Sequence, residues 1–171
     1  MTKGLSLYNA MEDLDRALAN MLHVLKKGEA NAVERGIDPT VFLNARLAPD
    51  MFNLIGQVQV AASIAKACPH RIVGTEPPVY ENTEESFADL YALIAQARGE
   101  LASFTREDID GKELREFSVK MGPIMRDFTA IAYLSGFSIP NVHFHATTVY
   151  NILRHNGVPL GKLDFFGGPK A

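Results

Sequence analysis

The sequence predicts a mainly α-helical chain folded as an antiparallel four-helix bundle, with a small β-hairpin between the third and fourth long helices. Three observations predict it. Leu7, Met11, Leu14, Leu18, Met21 and Leu25 alternate spacings of four and three, the rhythm of a helix that buries one stripe in a bundle. Phe87, Leu90, Ile94, Ala97, Leu101 and Phe104 repeat that rhythm. The stretch from Ser138 to Pro159 is punctuated as a helix at both ends and carries three of the chain's five histidines.

Taken in order, the first helix runs from Leu5 to Lys26. Gly28 to Pro39 reads as a broken connection, with Glu29 to Arg35 long enough for a short helix, Gly36 to end it, and Asp38-Pro39-Thr40 as a brief further start. Pro49-Asp50 opens the second long helix, whose inward stripe is Met51, Leu54, Ile55, Val58, Ala62 and Ala65. Gln57 and Gln59 flank that stripe. Cys68-Pro69 closes the helix, and the Gly- and Pro-containing path to Pro77-Pro78 excludes regular structure. The third helix starts near Asn82-Thr83, with Asn82 and Glu85 as a capping box.

Beyond Asp110-Gly111 the period changes. Leu114, Phe117 and Val119 face Ile124, Met125 and Phe128 across Gly122-Pro123, a two-stranded hairpin, and Thr129 to Leu134 forms a short helical turn leading into the last helix. In that helix Pro140 suits the first turn, where its missing N–H would be unpaired anyway. Val142, Ala146, Val149 and Leu153 form the buried stripe. Asn156-Gly157-Val158-Pro159 is the stop, with Gly157 left-handed and Val158 packing back toward Leu153. Leu160 to Phe166 is apolar enough to fold back on the body, and Gly167 to Ala171 frays.

A length of 171 residues fits one domain, taken as 1–171. A net charge of -3 argues against binding nucleic acid through phosphate contacts. Glu12, Asp13, Asp15 and Arg16 follow too early for a secretory leader, and no apolar run approaches the roughly 20 residues that span a bilayer. Cys68 is the only cysteine, which excludes an internal disulfide and a cysteine-rich zinc site. A cytoplasmic protein with neither nucleic acid nor membrane as partner is the expectation.

Two motifs carry a family resemblance. Pro49-Asp50-Met51-Phe52 leading to Gln57-Val58-Gln59, together with Pro140-Asn141-Val142-His143-Phe144-His145-Ala146-Thr147-Thr148 and Ile152 to Gly161, resembles domain-of-unknown-function family 1993 of the DinB/YfiT-like superfamily. The resemblance spans essentially the whole chain and implies a bacterial DinB-like bundle, often a homodimer. Better-known members of that superfamily hold a divalent metal with three histidines, one from the second helix and a pair spaced by four on the last, and include thiol-dependent transferases and isomerases. The equivalent positions here are Gln57, Asn141 and His145, and only His145 is a histidine.

His145 is therefore the candidate catalytic residue, because an imidazole that titrates near pH 6.5 suits proton transfer around neutrality. Gln57, Asn141, His145 and Thr148 are the candidate ligand-binding set. A divalent transition metal, if held, would use His145 with Asn141 and Gln57, although neutral amides are weak ligands beside imidazole or carboxylate. His143 lies about 200 degrees from His145 around the helix and cannot share an ion with it. His155 is too far along the axis. Cys68 and His70 lack a triad partner, and Gly167-Gly168 is not placed as a phosphate loop. No cofactor is assigned. Three readings remain open: a small molecule bound in a polar pocket by the last helix, a metal-dependent transferase or hydrolase using His145 as ligand or base, and a non-enzymatic dimeric interaction module.

Overall fold

The computed structural model describes residues 6–168. Its helices are α1 (Leu7–Glu34), α2 (Pro39–Leu43), α3 (Leu54–Val73), α4 (Phe87–Ala102), α5 (Arg106–Ile109), α6 (Ala130–Tyr133), α7 (Ile139–His155) and α8 (Lys162–Phe165). Strands β1 (Glu116–Met121) and β2 (Ile124–Thr129) lie between α5 and α6. The Leu5 start expected for the first helix, and residues 169–171 of the expected frayed tail, lie outside the described residues.

The heptad stripes are where the core is. All six stripe residues of α1 are buried, as are Phe87 to Leu101 of the α4 stripe and Val142, Ala146, Val149 and Leu153 of α7. Each fully buried aliphatic side chain contributes about 1.5–3 kcal/mol of transfer free energy. That is why the spacing dictates the packing: α7 lies against α1 and α3, and α4 lies against the same two helices.

Several boundaries differ from the sequence expectation, each for a physical reason. The first helix does not break at Gly28 but continues to Glu34. Gly28 is buried because α7 presses against it: a Cβ there would sit 2.8 Å from Leu153 Cδ2. The glycine is a contact point between helices and not a stop. The stop is at Gly36, whose N–H donates to Val33 while the Ile37 N–H donates to Ala32.

The second long helix starts at Leu54, not at Pro49-Asp50, because Asn53 supplies the cap by accepting the Gly56 N–H at 3.0 Å. It also runs through Cys68-Pro69 to Val73. Burial of Cys68 and Ile72 holds the extra turn, and the Arg115 guanidinium donates to the carbonyls of Arg71 at 2.7 Å and Ile72 at 3.3 Å. Those carbonyls would otherwise be orphans. Helix α4, the third of the long helices, is capped by a box of Ser86 and Asp89, not Asn82 and Glu85, and Phe104 falls beyond its end. Asp89 accepts from the Ser86 and Glu85 N–H groups at 2.9 and 3.1 Å.

The hairpin pairs Glu116 with Thr129 through Met121 with Ile124, so Gly122-Pro123 is the two-residue turn. Leu114 lies outside it and is exposed. Buried Tyr133 receives the hairpin: its ring meets Phe117 at 5.2 Å and Phe128 at 5.3 Å, both edge-on, and stacks on Phe137 at 5.3 Å. Arg71 donates to its hydroxyl.

The helical turn expected from Thr129 is α6, but no helix start follows at Ser138. The backbone stays helical through Leu134–Ser138 in a π turn, in which the Ile139 N–H reaches back to Leu134. Pro140 explains it. In an α-helical path its ring would crowd the Gly136 carbonyl and leave that carbonyl without a donor, and widening the turn relieves both. The other end of α7 matches the expectation: Gly157 adopts φ +88°, the Val158 N–H donates to Leu153 at 3.1 Å, and both side chains are buried. Gly157→Ala places a Cβ in the left-handed region and is expected to cost about 1–2 kcal/mol, read from the shift of a urea unfolding midpoint. An unshifted midpoint would contradict that role.

The tail folds back through α8 onto α1, where Asp164 accepts from Lys27 at 2.8 Å and meets His23 Nε2 at 3.3 Å. Gly167 and Gly168 continue this turn with N–H bonds to Asp164 and Leu163, so these two residues do not fray. Among the described residues, no helix is long and apolar enough to cross a membrane.

Candidate functional site

The capped first turn of α3 aims Gln57 at α7. Gln57 is 1% exposed and His145 is 7% exposed. The amide nitrogen of Gln57 donates to the Phe52 carbonyl at 3.0 Å, which leaves its Oε1 facing His145 Nδ1 at 2.7 Å. An amide oxygen only accepts, so Nδ1 carries the proton and Nε2 presents a lone pair. Burial lowers the His145 pKa from its ordinary 6.5, which keeps the imidazole neutral at pH 7. The pair thus presents one oriented, neutral, basic nitrogen in a nearly dry setting.

The remaining members of the sequence-derived set are arranged differently. Thr148 is buried one turn further on, but its hydroxyl donates to the Phe144 carbonyl of its own helix at 2.8 Å. Asn141 is half-buried, and none of the side-chain hydrogen bonds among the described residues reaches it. The structure therefore joins Gln57 to His145 across two helices and leaves Asn141 and Thr148 beside the pair without bonding to it. Phe144 packs edge-on to the imidazole at 5.4 Å. Phe144, and Phe52, whose ring packs on Gly56, both keep more than half of their surface in solvent.

The other histidines diverge from His145 as their helical angles require. His143 turns to α1, where its Nε2 meets Asp13 Oδ2 at 2.8 Å. Burial alone would raise the Asp13 pKa, but hydrogen bonds from His143 and Arg16 outweigh it and hold the carboxyl below its usual 3.8. His155 is exposed beside the helix stop. His23, on the outer face of α1, is engaged by Asp164 of the tail. His70 bridges Thr75 at 2.9 Å and Glu100 at 3.4 Å. Burial pushes the Cys68 thiol up to about 12, so it is no nucleophile near neutrality.

The residues present do not fit a three-histidine metal centre. Among the described residues, no group of three or more His, Cys, Asp or Glu side chains is placed to hold an ion. At His145 the donor set is one imidazole nitrogen plus two amides, and the Gln57 oxygen is already taken by the imidazole N–H.

Sequence reasoning passed over a second polar centre. Lys66, on α3, is almost fully buried beneath Tyr80 of the α3–α4 connection. Its only sequence signal is its place directly after Ala65 of the inward stripe, and nothing in the aperiodic connection announces Tyr80 as its partner.

The mainly helical core with its two-stranded hairpin is that of a DinB-like protein. A crystal structure of a DinB family member from Shewanella denitrificans superimposes with a TM-score of 0.86 at 34% identity, covering 96% of this chain and 94% of that one. The domain-of-unknown-function family DUF1993 matches residues 7–166, and the chain belongs to that family. No curated protein matches it.

Proposed function

We propose that the chain is an antiparallel four-helix bundle of the DinB type that binds a small molecule at the His145–Gln57 pair. The observation that carries the reading is the 2.7 Å hydrogen bond between two buried side chains from different helices. Such a pair fixes the imidazole tautomer and leaves Nε2 as an acceptor for a ligand hydroxyl, thiol or amide N–H. The exposed ring of Phe144 supplies an apolar surface beside it. Asn141 and Thr148 complete the proposed binding set. In this reading His145 would also serve as a base, because a neutral imidazole can take a proton without first losing one. No step is assigned to a metal.

The test is a fragment screen of small thiols, alcohols and amides, read on the imidazole nitrogen resonances of the uniformly 15N-labelled protein. Ligands that shift the His145 Nε2 resonance are expected, and His145→Gln is expected to weaken them by about tenfold, the loss of one good hydrogen bond. A screen in which no fragment moves that resonance, or in which His145→Gln lowers thermal stability and leaves every affinity unchanged, overturns the reading.

The proposed protein is a cytoplasmic homodimer. Ile124 and Met125 at the hairpin tip, with Leu163 and Phe166 of the tail, are exposed apolar side chains that a partner copy would cover. Sedimentation at twice the 18.8 kDa chain mass is expected, and a monomer at high concentration rules the dimer out.

A further inference from the structure

The connection between α3 and α4 arches over a cavity of about 470 Å³ whose lining includes Gln59, Lys66, Arg71, Pro78, Tyr80 and Asn82. Lys66 keeps only 3% of its surface in solvent. Its Nζ stands 2.9 Å from the centre of the Tyr80 ring, and it enters none of the ion pairs among the described residues. The Tyr80 hydroxyl is sealed from solvent and makes no hydrogen bond. The cavity wall thus carries a buried hydroxyl without a hydrogen-bond partner, Tyr80, and an ammonium without an ion-pair partner among the described residues, Lys66.

A desolvated ammonium is costly unless something compensates it. The Tyr80 ring does so in part, through its negative face. The carboxylates nearby do not finish the task. Glu100 acts on Lys66 only at a distance, and Glu84 accepts a hydrogen bond from Gln59 at 2.6 Å. Arg71, whose guanidinium lies 5.5 Å from the Tyr133 ring and donates to its hydroxyl, adds a second positive charge to the lining. Pro77, Pro78 and Leu93 supply apolar walls.

We propose that this cavity binds a small organic carboxylate, its anionic end held by Lys66 and the Tyr80 hydroxyl and its apolar body lying against Pro77, Pro78 and Leu93. The site is centred on Lys66 and Tyr80 and not on the His145–Gln57 pair; Phe52 lines the cavity and its carbonyl accepts from Gln57, so the His145→Gln variant below tells the two readings apart. Burial lowers the Lys66 pKa from its ordinary 10.5, with Glu100 opposing, and an incoming carboxylate would act in the same direction as Glu100 while accepting a charge-assisted hydrogen bond from the ammonium. Volume fits as well, since cavities of about 300–1,000 Å³ accept ligands of ordinary metabolite size.

Calorimetric titration with phenylacetate, phenylacetamide and inorganic phosphate tests this on the wild type and on Lys66→Met, Tyr80→Phe and His145→Gln. Phenylacetate is expected to bind the wild type, and phenylacetamide to bind about tenfold more weakly or not at all. Lys66→Met, which removes a buried charge and keeps the chain length, is expected to melt no lower than wild type and to lose at least about tenfold in phenylacetate affinity. Tyr80→Phe keeps the ring over the amine and loses severalfold. His145→Gln leaves phenylacetate binding intact. Absence of phenylacetate binding, binding of phosphate alone, equal binding of the amide, or unchanged affinity in both cavity variants each overturns the proposal.

Discussion

Tyr133→Ala is expected to lower the unfolding free energy by about 3–5 kcal/mol, the usual cost of truncating a buried aromatic residue. For a chain of this length that corresponds to a fall in melting temperature of about 6–20 °C. The size follows from position. Tyr133 is fully buried, and its ring is the common neighbour of Phe117 on β1, Phe128 on β2 and Phe137 in the π turn. Its removal empties the joint between the hairpin and the helices. Tyr133→Phe separates shape from polarity: the ring contacts survive, and Arg71 loses its hydroxyl acceptor, for about 1–2 kcal/mol. Thermal unfolding of the three proteins decides the matter, and an Ala variant within about 1 kcal/mol of wild type would show that the hairpin docks by other contacts.

Gln57→Leu is expected to cost about 1–3 kcal/mol, because it leaves the Nδ1–H of a buried imidazole without an acceptor. His145→Leu strands the Gln57 oxygen in the same way. In the double variant neither group remains to be stranded, so its loss is expected to be smaller than the sum of the two single losses. Additive losses would show that the two side chains are not coupled.

The same pair sets a pH dependence. Burial holds the folded-state pKa of His145 below the 6.5 of the unfolded chain, so between those two values the unfolded chain binds the extra proton. The contribution of His145 to stability is therefore fully present above pH 6.5 and is lost as the pH falls through the folded-state pKa. His145→Gln removes that component of the acid destabilisation. Chemical denaturation at pH 8 and at stepped values below 6.5 measures it, and an unchanged slope in the variant contradicts the assignment.

What the sequence disclosed follows from how each feature is encoded. The stripes on α1, α4 and α7 were legible because burial on one face of a helix writes directly into residue spacing. The stop at Gly157 was legible because it is local, needing only a left-handed residue and its two neighbours. The breaks assigned to Gly28 and Cys68-Pro69 failed because both depend on remote partners: Leu153 fills the space beside Gly28, and Arg115 holds the carbonyls after Pro69. Ser86 and Asp89 cap α4 in place of the equally plausible Asn82 and Glu85, a choice between similar local signals that tertiary packing makes. At the candidate site, helical angle separated His145 from His143 and the family resemblance named Gln57 as its counterpart, but only the packing of α3 on α7 brings them to bonding distance. Lys66 was not legible, because a lysine on a helix is ordinarily a solvated one and Tyr80 comes from a segment without periodicity.

The π turn before α7 acts as one extra residue threaded into an otherwise continuous rod from Ala130 to His155. One residue is about 100° of helical rotation. Counting spacing straight through from Ile131 to His145 therefore assigns the wrong azimuth, and the hairpin is clocked relative to the imidazole by the length of this segment as much as by its composition. Gly136, exposed and with no neighbour within 4 Å of where a Cβ would be, is a position in that segment where the count of residues matters more than the side chain.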